Sequence, residues 1–391
     1  MRQHPSTILA VAVGVALGLF GIWYWGSDGT KNRMATRSAV LSEADGALSH
    51  VLMHWTPSAD RDLASPYTDF LRALNENVRV TLVLPRQLSD FDQNLLESRL
   101  KQVDPTQKLL HRVERVTVGG PITPWSKDRA LVSYRDSGTG RTRLIIPAEP
   151  VGAWKERHND WLSVSEVVKR YPSQFELDTT PFDFDAGDIA VGRGVLIFDT
   201  NLLEKNRRRG FATLRQLAGR LGEYFQMQAV TLGQKLGDTP RHHLSMYMTP
   251  LTKNQVLVGD PVAARAIVGE GFKPGERSVE TGELLTADFS PTMIARFQRA
   301  KDDLVAQGFE VTSIVNVPFD DKTYFAYTNG VFEVRGGRRI AYVPVYDIPA
   351  LDESAHATYR GLGWEVIPIH VRSLFAYHGT IGCVVNVLER R

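Results

Sequence analysis

The stretch GTIGCVVNVL, residues 379–388, joins a glycine-rich turn to an apolar, β-branched run that predicts a buried strand. Cys383 stands at the junction, and reactive side chains at the mouth of a strand are typical of sites on α/β scaffolds. It is the only cysteine among 391 residues, so neither an intramolecular disulfide nor a cysteine-rich zinc site can form. A cysteine that packs as a small buried hydrophobe is the alternative to a reactive thiol.

Three other segments repeat this arrangement of a polar turn beside an apolar strand. They are PWSKD (residues 124–128), FDAGD (residues 184–188) and HHLSM (residues 242–246). Taken singly, an aspartate in such a turn is equally well a capping residue, and a histidine is more often structural. Their joint order is more informative, because it sets Asp128, Asp185, His243 and Cys383 one after another at strand entrances.

Apolar runs and amphipathic stretches alternate between these segments. Strands are predicted at residues 78–84, 130–134, 143–146, 189–198, 255–258, 310–315, 340–345, 365–368 and 384–388, and helices at residues 90–103, 163–171, 211–226, 292–307 and 350–362. On the helix at 90–103, the apolar side chains expected on one side are Phe91, Leu95, Leu96, Leu100 and Val103. Strands that alternate with helices predict an α/β fold.

The first residues predict a membrane anchor. No charged residue occurs from 5 to 27, and the run from 7 to 22 is almost wholly apolar. About 20 helical residues cross a bilayer, and the aromatic residues at 23–25 suit its interface. A cleavable signal peptide is the alternative, but its apolar core is usually shorter and no Ala-x-Ala pattern follows the run. We therefore predict an uncleaved, single-pass transmembrane helix.

The predicted organisation is an anchor over residues 1–26, a polar tether over residues 27–45 and one α/β domain over residues 46–391. One arginine precedes the span and three basic residues follow it closely, so the positive-inside rule does not favour export. A chain poor in cysteine nevertheless suits an oxidising compartment, and we predict an extracytoplasmic domain. The formal charge of +2 and the lack of a basic stripe argue against a nucleic-acid partner.

The order of the four segments resembles the guanidine-modifying superfamily, specifically its agmatine deiminase and bacterial peptidylarginine deiminase branch. Residues 125–128, 185–188, 243–246 and 379–383 are similar to the family motifs Trp-x-Arg-Asp, Glu-Gly-Gly-Asp, His-x-Asp-Met and Gly-Gly-Ile-His-Cys. The stretches at 151–155, 200–207, 238–239, 327–329 and 343–346 also resemble family segments in the same order. The resemblance covers the chain from about residue 78 to residue 390.

This resemblance implies a fivefold pseudo-symmetric α/β propeller with its site at the centre. It also implies a hydrolase of the deiminase class that cleaves a C–N bond of a guanidino or amidine group. Cys383 would attack the central carbon as a thiolate, and His243 would be the general acid and base. Asp128 and Asp185 correspond to carboxylates that hold the guanidinium. No metal or organic cofactor is implied, and the expected substrate is a small guanidino compound or peptidyl-arginine.

Three positions depart from the family pattern. Ser245 replaces one of two carboxylates that grip the substrate, Asp185 is one methylene shorter than the family's glutamate, and Gly382 replaces a histidine. Ser245 and Trp125 are still assigned to the substrate-binding set. The alternatives to a deiminase are a catalytically inactive binding or scaffold protein, and an amidinotransferase that passes the same thiol-bound intermediate to an amine.

Other polar groups near these segments are assigned ordinary roles. The basic run at 205–209 is expected to be a solvated loop before the helix that starts at residue 211. His378 is expected to be a loop histidine. His242 is expected on the opposite strand face from His243, because successive strand residues alternate.

Overall fold

Short strands and helices alternate throughout the computed structural model, which describes residues 39–104, 110–149, 157 and 159–391. The strands are β1 (Leu48–His54), β2 (Arg79–Pro85), β3 (Val113–Val118), β4 (Leu131–Val132), β5 (Thr142–Ile146), β6 (Phe175–Thr179), β7 (Ile189–Gly192), β8 (Val195–Asp199), β9 (Gln228–Leu232), β10 (Met248–Pro250), β11 (Gln255–Asp260), β12 (Glu310–Pro318), β13 (Tyr324–Ala326), β14 (Val331–Arg335), β15 (Arg338–Val345), β16 (Trp364–His370) and β17 (Val385–Arg390).

The α-helices lie between strands that run parallel to one another, apart from a single turn before the last strand. They are α1 (Asp60–Ala73), α2 (Asp90–Val103), α3 (Asp160–Arg170), α4 (Thr200–Asn206), α5 (Leu214–Phe225), α6 (Pro261–Val268), α7 (Pro291–Ala306), α8 (Pro349–Gly361) and the single turn α9 (Ile381–Val384). Parallel strands need such crossovers, since a short loop cannot return the chain to the same end of the sheet.

The described residues form five sheets, and each is built on the same unit. An antiparallel strand pair is followed by one or two helices and then by a strand parallel to the second. The units are β17–β1 with β2, β4–β5 with β6, β7–β8 with β9, β10–β11 with β12, and β14–β15 with β16. Strand β17 comes last in the sequence but supplies the first strand of the first unit.

Successive sheets are neighbours, and the last sheet meets the first. Strand β17 contacts β4 and β5, β7 contacts β10, and β1 contacts β14. Ile145 of the second sheet and Phe198 of the third belong to one apolar cluster. Phe325 of β13 stacks on Tyr346, which follows β15, with ring centroids 4.2 Å apart. The predicted α/β class is confirmed, and the closed series of five repeated sheets agrees with the predicted propeller.

Two local predictions need correction. The stretch 189–198, predicted to be one strand, forms the hairpin β7–β8, whose turn lies at residues 193–194. Helix α2 has the predicted bounds, yet Phe91 is 73% exposed whereas Leu96 and Leu100 are buried. At roughly 100° per residue, position 91 lies about 140° around the helix from position 96. The apolar face of α2 therefore excludes Phe91.

Residues 39–45 lie against the domain, although they belong to the predicted tether. Val40 forms a β-bridge with Ser133, Leu41 donates its backbone N–H to Val132, and Ala44 is fully buried. The predicted anchor at 1–26, the tether up to residue 38 and the family-like stretch 151–155 lie outside the described residues. Within the described ranges, no helix combines the length and apolar character needed to cross a bilayer.

Candidate functional site

The turns that lead into the first strands of four of the five units come together around one cavity of about 660 Å³. Asp128 precedes β4, Asp185 precedes β7, His243 precedes β10 and Cys383 precedes β17, and all four line the cavity. Asn329, which precedes β14, supplies the fifth position and bonds to the cysteine from behind. The repeated architecture thus converts five distant segments into one cluster.

Cys383 lies in the single turn α9, at the base of the cavity. Its residue is only 3% exposed, but it is among the residues that line the cavity. The sulfur accepts a hydrogen bond from Nδ2 of Asn329 at 2.9 Å. The imidazole of His243 is a second neighbour of the sulfur, close enough to act on it electrostatically. The thiol therefore lies beside a neutral donor and a titratable ring.

His243 lies between the sulfur and two carboxylates. Its Nδ1 is 3.6 Å from Oδ1 of Asp128, and its Nε2 is 4.0 Å from Oδ2 of Asp185. Burial disfavours the charged ring, but Asp128, Asp185 and the Cys383 sulfur outweigh burial and raise the pKa of His243 to about 10. The ring is therefore an imidazolium at neutral pH, able to donate a proton toward the cavity.

Two glycines allow the side chains of the site to approach the backbone. A Cβ atom at Gly187 would lie 2.4 Å from Cγ of His243, so only glycine leaves room for the imidazole. A Cβ atom at Gly382 would lie 2.1 Å from Oδ1 of Asn329. The absence of a side chain at 382, a departure from the family pattern in the sequence, therefore accommodates the asparagine that contacts Cys383.

Asp185 is held by cations of the chain itself. Its Oδ1 pairs with Arg129 at 3.0 Å and its Oδ2 with Nζ of Lys205 at 2.9 Å, while Lys205 also reaches Oδ2 of Asp188 at 2.6 Å. Burial opposes ionisation of Asp185, but Lys205, His243 and Arg129 together hold its pKa well below the usual range. The prediction that Lys205 is in a solvated loop is wrong, because the residue lies in α4 and lines the cavity.

Asp128 has an internal guanidinium partner. The Arg157 side chain donates to its Oδ2 and also lies 3.4 Å from Oδ2 of Asp160. Burial opposes the charge on Arg157, but Asp128, Asp185 and Asp160 raise its pKa above the ordinary value. In contrast, Oδ1 of Asp128 has no hydrogen-bond partner among the described residues. That oxygen is buried and faces Nδ1 of the His243 imidazole at 3.6 Å.

The mouth of the cavity combines apolar and charged side chains. Trp125, Val279 and Tyr377 line it, and the last two are 47% and 40% exposed. Glu280 and Lys322 lie at the same rim and form an ion pair of 2.6 Å. A ligand longer than a guanidinium group would therefore meet apolar surface and a paired charge at the entrance.

Two more histidines belong to the lining. His242 stacks on His243, with ring centroids 4.3 Å apart, and its Nε2 bonds to the carbonyl of His378. The prediction that His242 faces away from His243 is wrong, because the pair precedes a 3-10 turn rather than lying on a strand. His378 bonds through Nδ1 to Thr323 and lies 3.6 Å from Glu280.

Ser245 is separated from the other predicted site residues. It lies within the 3-10 turn Leu244–Met246 and is not part of the cavity lining, although Trp125 is. Its carbonyl accepts a hydrogen bond from the hydroxyl of Thr328. In this segment the two preceding histidines, and not Ser245, line the cavity.

The described residues contain no group of three or more His, Cys, Asp and Glu side chains suited to a metal ion. The buried charges are instead matched within the protein. Asp128, Asp160, Asp185 and Asp188 face Arg129, Arg157, Lys205 and the His243 imidazolium. Such an arrangement can polarise a bound group and transfer a proton while keeping the buried charges paired.

Comparisons with solved structures give agmatine deiminases as neighbours. Campylobacter jejuni agmatine deiminase aligns with a TM-score of 0.62 and 17% identity over 91% of this chain and 97% of its own. A variant of that enzyme with substrate bound gives a TM-score of 0.62 and 16% identity over 90% and 96% of the two chains. Enterococcus faecalis agmatine deiminase aligns with a TM-score of 0.64 and 13% identity over 90% of this chain and 96% of its own.

These similarities extend over nearly the whole of each neighbour and establish that the chain has the agmatine deiminase fold. Protein-family models give no match to the sequence, and curated proteins give none either. The likeness is therefore one of architecture, carried by the five repeated units. The chemistry of the protein depends on the side chains in the cavity.

Proposed function

We propose that this protein is a hydrolase that cleaves a C–N bond of a guanidino or amidine group, with Cys383 as the nucleophile. The observation that carries the proposal is the placement of His243 between the Cys383 sulfur and the carboxylates of Asp128 and Asp185. A thiol, an imidazolium and two carboxylates around one cavity are the groups that such a reaction needs. The fold shared with agmatine deiminases adds support.

The reaction would proceed in two balanced steps. The Cys383 thiolate attacks the central carbon of the guanidinium and forms a C–S bond. His243 then gives its proton to one terminal nitrogen, whose C–N bond breaks to release ammonia. In the second step His243 takes a proton from water as the water oxygen attacks the same carbon. The C–S bond breaks and regenerates the thiolate, and the remaining proton on the attached oxygen passes to the released ammonia, which leaves a ureido product and ammonium.

Asp128 would contribute in two ways. It keeps the imidazole charged, and because the residue lines the cavity, its carboxylate can accept an N–H of a bound guanidinium. A carboxylate–guanidinium contact is charge-assisted and geometrically specific. Asp185 has cationic partners on both oxygens, so its larger effect would be to orient His243 and Lys205.

The expected substrates are a small guanidino compound and peptidyl-arginine. Trp125, Val279 and Tyr377 provide apolar surface toward the rim, suited to the chain that carries the reactive group. The volume of about 660 Å³ is in the range of small-molecule sites. The rates of ammonia release from agmatine and from peptidyl-arginine show whether the substrate is a small guanidino compound or a peptide.

The proposal is tested with the full-length protein and its one cysteine. A haloacetamidine probe, which presents the planar cationic group, is expected to label Cys383 faster than a neutral haloacetamide at pH 7. Ammonia release from agmatine or peptidyl-arginine is expected to disappear in Cys383→Ala. Labelling that requires denaturation, together with no ammonia from either substrate, would reject the proposal.

A non-catalytic binding protein is the second candidate, and one observation favours it. Both carboxylates that resemble the family's guanidinium clamp already carry cations of the chain, namely Arg157 on Asp128 and Lys205 on Asp185. A guanidinium would have to share or displace these partners. Agmatine binding by calorimetry without turnover, unchanged in Cys383→Ala, would support this candidate.

We further propose that residues 1–26 anchor the protein in a membrane with the domain outside the cytoplasm. The apolar run from 7 to 22 and the aromatic residues after it support this. The full chain is expected in the membrane fraction after a carbonate wash, and a version lacking residues 1–26 in the supernatant. Protease added to intact cells should remove the domain if it lies outside.

A further inference from the structure

We infer that His242 is a substrate-binding residue whose Nδ1 accepts an N–H of the bound guanidino group. The inference rests on the proposed hydrolysis and adds a contact to it. The observation that carries it is an imidazole in the cavity lining with one nitrogen bonded to the protein and the other without a partner among the described residues. The ring supplies an acceptor from the same segment in which Ser245 does not line the cavity.

The hydrogen bond to His378 fixes the tautomer of His242. Nε2 of His242 lies 2.9 Å from the backbone carbonyl oxygen of His378, which can only accept, so Nε2 carries the ring proton. Nδ1 of the neutral ring is then an acceptor with a lone pair to offer. Burial and the adjacent His243 imidazolium hold the pKa of His242 well below its usual range, so the ring stays neutral at pH 7.

The lone pair on Nδ1 is accessible from the cavity. This nitrogen forms no hydrogen bond with the described residues, yet it is not enclosed by protein, in contrast to the partnerless Oδ1 of Asp128. Since His242 lines the cavity, a ligand there can reach the atom. A neutral nitrogen with a lowered pKa accepts a hydrogen bond without taking up the proton, which suits it to binding and not to acid–base chemistry.

Stacking places this acceptor beside the proposed general acid. The rings of His242 and His243 have centroids 4.3 Å apart and planes 11° from parallel. A neutral ring tolerates a charged ring at this distance, whereas two imidazolium rings would repel each other. A guanidinium has several N–H groups in one plane, so one that donates to Asp128 can donate another N–H to the neighbouring His242 ring.

The backbone supports a constrained position for the His242 ring. His242 has a φ of 78°, in the left-handed region that favours glycine, and His378, which supplies the carbonyl, has a φ of 72°. Strained conformations of this kind persist where the surrounding structure holds them, and they cluster at binding sites. The bond between the two residues joins the turn before β10 to the loop before Cys383.

Variants at position 242 separate the acceptor from the ring. They are made in the Cys383→Ala protein, so that calorimetry measures agmatine binding without turnover. His242→Phe keeps a ring for stacking but has no acceptor, and its affinity for agmatine is expected to fall about tenfold, as for a lost hydrogen bond from a charged donor. His242→Asn should regain most of that affinity, because its Oδ1 is an acceptor and asparagine tolerates a positive φ.

A glycine variant keeps the test valid if His242→Phe is poorly folded. His242→Gly relieves the backbone strain but removes the acceptor, so it should also bind agmatine about tenfold more weakly. Gln226→Gly is the matched control, because Gln226 has a φ of 53° at the end of α5 and does not line the cavity. It should bind agmatine as its parent does. Parental affinity in His242→Phe or His242→Gly would overturn the inference.

The result separates from that for the proposed function. If agmatine binding is weakened in His242→Phe but the wild-type protein releases no ammonia, the proposed hydrolysis fails and the role of His242 stands. If ammonia is released and His242→Phe leaves KM unchanged, only the present inference fails. If the wild type binds neither agmatine nor an arginine-containing peptide, both fail. In an active enzyme, His242→Phe should raise KM more than it lowers kcat, since the contact is to the substrate.

Discussion

Nδ1 of His243 lies 3.6 Å from Oδ1 of Asp128, and that carboxylate oxygen has no hydrogen-bond partner among the described residues. The relationship couples the protonation of the proposed general acid to a buried carboxylate oxygen of a residue that lines the cavity. A guanidinium that binds Asp128 would draw on the same negative charge that keeps the imidazole protonated. Binding and proton transfer are therefore linked through one carboxylate.

The first prediction concerns the pH dependence of stability. The pKa of His243 is raised from its ordinary 6.5 to about 10, so its stabilising contribution is complete below pH 6.5 and disappears as pH rises through about 10. Between pH 7 and 11, the wild-type protein should lose roughly 3 kcal/mol of unfolding free energy more than His243→Gln. Chemical denaturation across this range measures the difference. Parallel curves for the two proteins would contradict the assignment.

The second prediction concerns Lys205 as a structural cation of the site. In Lys205→Met, Asp185 and Asp188 lose a shared partner at 2.9 and 2.6 Å. The Lys205 side chain is 37% exposed, so its ion pairs are neither fully exposed nor fully buried. The variant should therefore lose about 2 kcal/mol of unfolding free energy, more than for a surface ion pair and less than for a buried one. Because the pKa of Asp185 is depressed, its contribution is present above pH 3.8 and is lost as pH falls through the lower, folded-state value.

Lys169 provides the control for Lys205. It forms an ion pair of similar length, 2.7 Å to Glu166, but its side chain is 67% exposed. Lys169→Met should change the unfolding free energy by less than about 0.5 kcal/mol. If denaturation at pH 7 gave equal losses of unfolding free energy in the two variants, burial of the ion pairs around Asp185 would add nothing to their strength.

The entrances of strands can be recognised from sequence because they combine a local polar turn with an apolar run. That pattern identifies Asp128, Asp185, His243 and Cys383, which share one cavity, and the turn before β14 follows the same pattern with Asn329. In the sequence, Asn329 is marked only as part of a family-like stretch. Counting five units instead of four segments would have identified it.

The cations of the site cannot be recognised in this way. Lys205 lies in α4 beside three arginines, and a basic run of that kind usually faces solvent. Its partners, Asp185 and Asp188, are 20 and 17 residues away and approach only through the packing of the third sheet. Local composition does not show where a charged side chain lies in the folded protein. For the same reason, the role of Arg157 cannot be predicted from the sequence.

The third prediction follows from the placement of Ser245. Because this residue does not line the cavity, a carboxylate introduced at this position should not rebuild the family's guanidinium clamp. Ser245→Asp is expected to leave agmatine affinity and turnover within about twofold of the wild type, less than the smallest effect of a charge-assisted contact. Calorimetry and ammonia release measure the two quantities. A tenfold gain in either would show that the side chain at 245 reaches the cavity.

The fourth prediction tests whether Gly187 is required for the position of His243. A Cβ at Gly187 would lie 2.4 Å from Cγ and 2.5 Å from Nδ1 of the imidazole, so the ring must move from Asp128. Gly187→Ala should cost about 1–3 kcal/mol of unfolding free energy and lower kcat/KM by about a hundredfold, the effect typical of a misplacement near 1 Å. Denaturation at pH 7 and ammonia release measure the two effects.

Gly219 is the control for Gly187, since it lies inside α5 and a Cβ added there would have no neighbouring atom within 4 Å. Gly219→Ala should stabilise the protein by about 0.5–1 kcal/mol, because alanine favours the helix, with unchanged turnover. Wild-type stability and turnover in Gly187→Ala would mean that the imidazole has another position available. The position of the His243 ring beside Asp128 would then not be needed for proton transfer.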